Sequence, residues 1–305
     1  MPSAPTPQSM LLYFEDQSAA ATALARSSRL PAACIERHQF PDGEVKLRLP
    51  ARLPEKVVLY RSLDRPNEKL VELLLAAQTA RSLGARHLTL VAPYLAYMRQ
   101  DMEFSPGEAV SQGIVGRFLA GLFDAAITVD PHLHRISTLQ QAMPLPHAMV
   151  LTGAHALADL VVERRDRPVL VGPDAESAQW VATAAARHGL DYVVCSKVRH
   201  GDRDVEVTLG QAAFAGRPAV IMDDVISTGH TVAAAARLLT AAGAASVDVA
   251  VTHALFVAGA LQTIRDAGVN EVWSTDCVSH STNTVHMADL FARTLAAIHA
   301  AAVPE

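Results

Sequence analysis

Cysteine and long apolar runs are both scarce in this 305-residue sequence. The three cysteines, Cys34, Cys195 and Cys277, are widely spaced and odd in number, which argues against a cysteine-ligated metal cluster and favours a reducing compartment. No stretch approaches the ~20 apolar residues that a membrane helix needs. The first ten residues, MPSAPTPQSM, also lack the basic and then apolar pattern of a signal peptide. We therefore expect a cytoplasmic protein that does not associate with membranes.

Positive charge is in deficit as well. Lysine and arginine total 26 against 31 aspartate and glutamate residues, which gives a net charge of −5. This balance argues against a nucleic-acid partner held by general electrostatics, so an anionic substrate must be bound by local cations, backbone N–H groups or a metal ion. Half of the residues are hydrophobic, and the length suits two domains of roughly 100 to 200 residues each.

The stretch AVIMDDVISTGHTV, residues 219–232, has the order of a phosphate site. Four apolar residues predict a buried strand, Asp223 and Asp224 follow it, and a loop rich in hydroxyl groups leads into an Ala-rich helix. A helix N-terminus offers unpaired N–H groups and a positive dipole end, and Gly229 lets the backbone approach a phosphate closely. The carboxylates cannot bind phosphate, so we expect them to hold sugar hydroxyls or magnesium. A strand end with a polar turn and a helix cap is the alternative.

Strands and helices alternate along the chain, which predicts parallel βαβ units. The alternation runs to about Val129, gives way to an irregular stretch at Arg135–Met149, and then restarts. We therefore predict an α/β protein of two similar domains, residues 1–148 and 149–287, each a mainly parallel sheet flanked by helices. The C-terminal helix, within residues 288–305, is expected to pack back on the first domain.

Three further segments carry polar side chains next to predicted strands. Residues 39–50 predict a hairpin, residues 93–119 include a charged loop with two tyrosines, and residues 196–209 predict a mobile loop or hairpin. Asp130 and His132 end a strand and can both reach one ion, although such a pair is more often a capped turn.

Residues 219–232 resemble the phosphoribosyl diphosphate (PRPP) loop shared by type I phosphoribosyltransferases and ribose-phosphate diphosphokinases, the PRPP synthetases. Five other segments resemble the diphosphokinases in particular: FPDGE, PYLAYMRQD, DPH, KVR and THALF. The resemblance spans roughly Leu11 to Leu295, and a one-domain transferase has no reason to carry the first three segments. It implies the type I phosphoribosyltransferase fold in both domains.

The resemblance also implies a reaction. The family transfers the diphosphoryl group of ATP to the C1 hydroxyl of ribose 5-phosphate, with Mg²⁺, giving PRPP and AMP. Its partners would be ATP, ribose 5-phosphate and further copies of the chain in a homo-oligomer. A phosphoribosyltransferase that uses PRPP is the alternative enzyme. A related protein with an altered donor or acceptor, or with a regulatory role, is the other alternative.

Each segment brings implied site residues with it. In the ATP site, Phe40 would stack on adenine across a subunit contact, and the other implied residues are Asp42, Glu44, Arg99, Gln100 and Asp101. The metal ligands would be Asp130 and His132, and the catalytic cations Lys197 and Arg199. Ribose 5-phosphate would be bound by Asp174, Asp223, Asp224, Ser227, Thr228, Gly229, His230 and Thr231. Glu176 and Ser177 stand where the family commonly has two glycines.

Overall fold

The computed structural model describes residues 8–133, 135–199, 205–208 and 214–301; for residues 196–199, 205–208 and 301 the backbone alone is described. The chain divides into two compact units. Unit 1 comprises Met1–Leu151 and Met287–Glu305, and unit 2 comprises Thr152–His286. The division lies within a few residues of the boundaries expected at residues 148 and 287.

Unit 1 is built on one mainly parallel sheet. Its strands are β1 Ser9–Phe14, β2 Ala32–Gln39, β3 Val45–Arg48, β4 Lys56–Tyr60, β5 His87–Val91, β6 Ala125–Val129 and β7 His147–Leu151, in the spatial order β3-β2-β1-β4-β5-β6-β7. Only the β2–β3 pair among these is antiparallel. The helices are α1 Ser18–Ser28, α2 Pro66–Ser82, α3 Ser111–Ala120 and α4 Leu139–Ala142.

Unit 2 repeats the plan with a smaller sheet. Its helices are α5 Ala154–Arg164, α6 Ala178–His188, α7 His230–Ala241 and α8 Ala260–Asp266. Its strands are β8 Val169–Gly172, β9 Asp191–Val194, β10 Ser196–Arg199, β11 Val205–Thr208, β12 Pro218–Ile226, β13 Ser246–Ala254, β14 Val272–Thr275 and β15 Asn283–Val285. The sheet has the order β15-β14-β13-β12-β8-β9 with parallel neighbours, and β10 and β11 form a separate antiparallel hairpin.

The last helix, α9 (Ala288–Ala301), belongs to unit 1. Ser27 on α1 donates a hydrogen bond to Asp289, at 2.7 Å. The Phe291 ring meets the Tyr60 ring edge-on with centroids 6.5 Å apart. Phe291, Leu295 and Ile298 are all buried, so α9 supplies part of the apolar interior of unit 1.

Central strands consist almost entirely of buried apolar residues, because a parallel sheet is covered on both faces. Strand β6, AAITV, is buried at every position, and β4 is buried from Val57 to Tyr60. In each unit the chain builds outward from a first strand and then returns to build in the other direction. This reversal lies between β1 and β4 in unit 1 and between β8 and β12 in unit 2. Ligands of open α/β sheets bind outside the carboxyl ends of the strands at such a point.

The predicted fold class is confirmed, but three strands were not predicted. Strand β2 has little apolar pattern because most of its residues are exposed. Strand β7 follows Pro144 and Pro146, which made the stretch read as irregular. Strand β15 has three residues at a sheet edge, too few for a pattern to indicate it.

The ends of two other elements were predicted wrongly. Strand β12 does not end at Met222 but continues to Ile226. Asp223 and Asp224 therefore lie within the part of the strand that pairs with β13 and not after it. The stretch HALFVAGALQTIRDAG, residues 253–268, predicts a helix that ends at Gly268, but α8 begins only at Ala260 because β13 extends through Ala254. No helix among the described residues combines the length and the apolarity needed to cross a membrane.

Candidate active site

The acidic residues of unit 2 meet at its strand reversal. Asp223 and Asp224 lie near the carboxyl end of β12, and Asp174 follows the neighbouring strand β8 by two residues. Burial, the nearby Asp224 and then Asp174 raise the pKa of Asp223 well above its ordinary value. The Asp224 backbone N–H donates to the Asp223 carboxylate at 3.0 Å, and the Asp224 residue is 5% exposed. Carboxyl groups therefore lie side by side at this edge of the sheet, and sugar hydroxyls can donate hydrogen bonds to such groups.

The loop expected to bind phosphate lies directly after these acids, at the N-terminus of α7. Gly229 precedes the helix with a φ of 77°, a left-handed conformation that favours glycine. A side chain at Gly229 would lie 2.8 Å from Ile264 of α8, so the close packing of α8 also requires glycine here. The Ser227 carbonyl accepts a hydrogen bond from Val257 N–H at 3.1 Å, which fixes the loop to the segment after β13. Thr228 and His230 are exposed, and Thr231 is half-buried.

Asp174 is also a helix cap. Its carboxylate accepts hydrogen bonds from the backbone N–H groups of Glu176, at 3.1 Å, and Ser177, at 3.3 Å. The Ser177 hydroxyl is buried and donates to the Asp174 carbonyl at 2.6 Å, in the space that a side chain at Gly172 would fill. Glu176 is exposed. In this conformation two N–H groups that could face an anion are occupied by the chain's own carboxylate.

The β10–β11 hairpin starts from the same edge of the sheet. Cys195, the residue before it, donates its backbone N–H to Gly172 at 2.8 Å. Burial and the nearby Asp174 raise the pKa of the Cys195 thiol to about 11. In the hairpin Lys197 pairs with Val207 and Arg199 with Val205. Lys197 and Arg199 are two residues apart on one strand, so they lie on the same face of the hairpin, although their side chains lie outside the described part of the structure.

In unit 1 the implied metal ligands follow β6. Asp130 is 6% exposed and has a φ of 37°, and its backbone N–H donates to Leu151 at 2.9 Å. A buried acid held in the left-handed region is a mark of functional sites. His132 is half-buried. Within the described residues, no group of three or more acid, histidine or cysteine side chains is arranged to hold a metal ion.

The implied ATP residues lie in two places on the sheet of unit 1. Phe40, Asp42 and Glu44 form the tip of the β2–β3 hairpin, where Phe40 is 39% exposed and Glu44 N–H donates to Asp42 at 3.1 Å. Arg99 and Gln100 follow β5, on the other side of β1 and β4. Strands β2 and β5, which these segments follow, are three strand spacings apart in the sheet, about 14 Å at roughly 4.8 Å each.

The segment after β5 is tied to its surroundings at several points. Arg99 is exposed. The Gln100 side chain donates to Met102 O at 3.1 Å and to Glu108 at 2.9 Å. The Asp101 side chain is only 2% exposed and pairs with Arg135 at 2.7 Å. Asp101, expected near the base, is thus buried against a cation of its own chain in this structure.

A buried ion network occupies the strand reversal of unit 1, and no local sequence pattern indicates it. Arg61, directly after β4, pairs with Asp16 at 2.5 Å and with Glu72 of α2. Glu72 also accepts from Arg37 at 2.6 Å. The Arg61 guanidinium stacks 4.4 Å from the centre of the Phe14 ring.

Two uncharged polar residues were also missed. The Ser62 hydroxyl accepts from Tyr94 N–H at 3.1 Å, and the buried Gln112 side chain donates to Met98 O at 3.0 Å. Ser62 could have been suspected from its position at a strand's carboxyl end. Gln112 had no such signal.

Comparison with known proteins agrees with this geometry. The model for the N-terminal domain of ribose phosphate pyrophosphokinase matches residues 9–122, and the phosphoribosyl transferase domain model matches residues 146–274. The crystal structure of phosphoribosylpyrophosphate synthetase from Mycobacterium smegmatis superimposes with a TM-score of 0.81 over 97% of this chain and 100% of that chain, at 22% identity. That similarity supports the fold of the whole chain.

Relatives of higher identity are also matched over most of their length. The ribose-phosphate pyrophosphokinase of Methanopyrus kandleri is 34% identical over 87% of this chain and 91% of its own. That of Saccharolobus solfataricus is 34% identical over 84% and 88%, and ribose-phosphate pyrophosphokinase 1 of Archaeoglobus fulgidus is 35% identical over 89% and 94%. The family predicted from the sequence motifs is thereby confirmed. This chain belongs to the ribose-phosphate pyrophosphokinase family, a family of transferases.

Proposed function

We propose that this protein transfers the diphosphoryl group of ATP to the C1 hydroxyl of ribose 5-phosphate, with Mg²⁺, and releases PRPP and AMP. The observation that supports this most directly is the grouping of three carboxylates with an anion-binding helix N-terminus at the strand reversal of unit 2. A sugar phosphate presents one dianion and several hydroxyls, and this grouping matches both.

Ribose 5-phosphate binds, in this proposal, with its phosphate at residues 227–231 and its hydroxyls on Asp223 and Asp224. The first N–H groups of α7 lack acceptors within the helix and carry the positive end of its dipole. Ribose hydroxyls donate to carboxylates, and the raised pKa of Asp223 makes this carboxyl easier to protonate than an ordinary aspartate, so its protonated form can also donate. Asp174 holds the acceptor or a metal ion.

Asp130 and His132 fit one face of a Mg²⁺ site. The Asp130 carboxylate is the hard oxygen ligand that magnesium prefers, and magnesium usually keeps only one or two protein ligands beside water and substrate phosphates. Among the described residues no group of three or more possible ligands occurs, and a site with only two protein ligands is consistent with this preference of magnesium. When bound, the ion neutralises phosphate charge. Asp130, buried and held by Leu151, supplies a fixed carboxylate to the site.

Lys197 and Arg199 stabilise the diphosphoryl group as it is transferred. Phosphoryl-type transfer needs mainly alignment and charge stabilisation from a protein. The hairpin that carries both residues begins next to Cys195. The backbone N–H of Cys195 donates to Gly172, two residues before Asp174, so the hairpin starts close to Asp174.

We further propose that the ATP site is completed by a second copy of the chain. The Phe40 hairpin projects from the β2–β3 edge of the sheet of unit 1, whereas Arg99 follows β5, three strands from β2. Phe40 is 39% exposed at the tip of its hairpin, so its ring is accessible to a nucleotide bound at Arg99 of a second copy. Since both substrates are metabolites of the cytoplasm, we propose that location for the enzyme.

The test is AMP formation from ATP, with and without ribose 5-phosphate. The proposed enzyme forms AMP only when both substrates and Mg²⁺ are present, in equal amounts with PRPP. A phosphoribosyltransferase instead forms no AMP from this pair but consumes added PRPP with a base. If correctly folded protein shows neither of these two activities, the result favours a related protein with a regulatory role.

A further inference from the structure

The peptide that carries Arg99 is held on both sides by one residue of α3. The Gln112 side chain donates to the carbonyl of Met98 at 3.0 Å, and the Gln112 backbone N–H donates to the carbonyl of Gln100 at 3.2 Å. Met98 and Gln100 are the immediate neighbours of Arg99. Gln112 itself is only 4% exposed, so the amide is fixed inside the protein while Arg99 is exposed.

The preceding residues are fixed as well. Tyr97 has a φ of 64°, in the left-handed region that a bulky residue adopts only at a cost. Its hydroxyl donates to Asn67 in the first turn of α2. Tyr94 donates its N–H to the Ser62 hydroxyl and accepts Leu63 N–H at 2.9 Å. These contacts fix the backbone of residues 94–98. The two hydrogen bonds from Gln112 then fix the backbone on either side of Arg99 as well.

Such bonds have a consequence for binding. An arginine on an unconstrained loop loses backbone and side-chain freedom when it binds a phosphate, and that loss reduces affinity. A backbone fixed before binding avoids part of the loss, because a site held by hydrogen-bonded surroundings is already in place.

We propose that Gln112 is a positioning residue of the nucleotide site, which acts through the backbone on either side of Arg99. This inference rests on the proposed function, because it takes Arg99 as a ligand of the ATP phosphates. Gln112 is not a catalytic residue, since its amide is directed to the Met98 carbonyl. Its effect is selective for ATP over ribose 5-phosphate, since the acceptor residues belong to unit 2.

The main experiment replaces the amide with a side chain of similar shape, in Gln112→Met. We expect the Kd for a non-hydrolysable ATP analogue with Mg²⁺, measured by calorimetry on the full chain, to rise about tenfold, the change that corresponds to about 1.4 kcal/mol. The KM for ATP should rise in parallel and the KM for ribose 5-phosphate should stay within about twofold. Gln140→Met is the matched control, because Gln140 also donates to a backbone carbonyl of unit 1, that of Ala148 at 3.2 Å.

A double-mutant cycle with Arg99→Ala separates positioning from a general structural role. If Gln112 acts through Arg99, adding Gln112→Met to Arg99→Ala produces no further loss of analogue affinity. Equal losses in both backgrounds, or no loss in either, would overturn the inference and leave the proposed function intact. If Arg99→Ala itself leaves ATP affinity unchanged, Arg99 is not a ligand and the inference fails with it. Failure of the proposed function is a separate result, the absence of AMP formation by the unmodified protein.

Tyr97→Phe provides a second variant in case Gln112→Met does not fold. It removes only the exposed hydroxyl that contacts Asn67 and leaves the ring in place. We expect a smaller rise in the Kd of the ATP analogue, about threefold and again absent with Arg99→Ala, on the scale of one hydrogen bond. An unchanged Kd in Tyr97→Phe, together with a Gln112→Met protein that cannot fold, would count against positioning by these contacts.

Discussion

The two units have the same strand reversal, but charged residues are arranged differently there: oppositely charged side chains pair in unit 1, and acids lie together in unit 2. At the reversal of unit 1, between β1 and β4, Arg61 pairs with Asp16 and Glu72. At the reversal of unit 2, between β8 and β12, acids lie beside acids and the pKa of Asp223 is raised. The same fold position therefore holds paired opposite charges in one unit and neighbouring acids in the other.

The difference lies in how the buried charges are satisfied. In unit 1, Glu72 is 1% exposed on its side chain and accepts from two arginines, so its charge is compensated inside the fold. In unit 2, burial and the neighbouring carboxyls of Asp224 and Asp174 raise the pKa of Asp223, so the charged form of Asp223 is destabilised in the fold. Residues that lower stability in the absence of ligand are typical of binding sites. This difference is what the proposed binding of ribose 5-phosphate at the reversal of unit 2 predicts.

The largest expected effect comes from breaking the unit 1 network with Glu72→Gln. Arg61 and Arg37 then lose their common carboxylate, and removing one partner of a buried pair costs about 3–5 kcal/mol. Urea unfolding followed by far-UV circular dichroism measures the loss. Both tryptophans, Trp180 and Trp273, lie in unit 2, so their fluorescence reports that unit separately.

Glu68→Gln is the control for that experiment. Glu68 is 76% exposed on its side chain and lies 3.5 Å from the same Arg37. An exposed pair of this kind contributes about 0–1 kcal/mol. Similar losses in Glu68→Gln and Glu72→Gln would mean that burial of the network does not matter, contrary to the comparison.

The second effect concerns the cations that unit 2 supplies on its hairpin. Lys197→Ala should lower kcat by on the order of a hundredfold with little change in KM, because the charge is needed mainly in the transition state. Steady-state kinetics with both substrates measures it. Arg237→Ala is the control, since Arg237 is an exposed cation on α7, two turns from the phosphate loop. A near-normal kcat for Lys197→Ala would remove this residue from the mechanism.

The third effect has the opposite sign to that of Glu72→Gln. Asp223→Asn should stabilise ligand-free unit 2 at pH 8 by about 0.5–2 kcal/mol, the usual gain when a strained functional residue is relieved. The folded-state pKa of Asp223 is raised, so the folded protein binds more protons than the unfolded chain, and stability falls as pH rises through that pKa.

The gain from Asp223→Asn should therefore be largest at pH 8 and shrink toward pH 4. Urea unfolding followed by tryptophan fluorescence across this range tests it. A variant that is less stable than the parent at pH 8 would show that Asp223 is compensated within the fold, as Glu72 is.

The smallest effect is expected for Glu176→Gln. Glu176 is exposed, and the contact that it makes with Asp174 uses its backbone N–H, which the substitution keeps. Exposed substitutions usually change stability by less than about 0.5 kcal/mol. Rates with ATP, ADP and several phosphorylated pentoses at varied Mg²⁺ should stay within about twofold of the parent. A changed magnesium dependence would give this carboxylate a role in the site.

The sequence was sufficient for features that are contiguous in the chain. The acids, loop and helix start of residues 219–232 could be recognised together because one strand and one helix carry them all. The buried strands β4 and β6 were found from their apolar runs. Strand β2 was missed because its residues are mostly exposed, so the backbone pairing with β1 and β3 defines it rather than an apolar pattern.

Contacts between distant residues could not be predicted in this way. Glu72 lies among apolar residues of α2 and gives no sign that Arg37 and Arg61 converge on it. Gln112 meets Met98 only because the intervening loop returns the chain to the end of β5. The pairing of Asp101 with Arg135 likewise depends on tertiary structure. It explains why the Asp101 side chain, expected near the adenine base, is buried instead.

The return of α9 to unit 1 determines the order in which a ribosome can complete the two units. Unit 2 is inserted between Leu151 and Met287, so its residues are all synthesised before α9 emerges. Until then the surface that receives Phe291, Leu295 and Ile298 stays uncovered, beside Tyr60. The unit that is translated first is consequently finished last, and its nascent form exposes an apolar surface of the kind that chaperones bind.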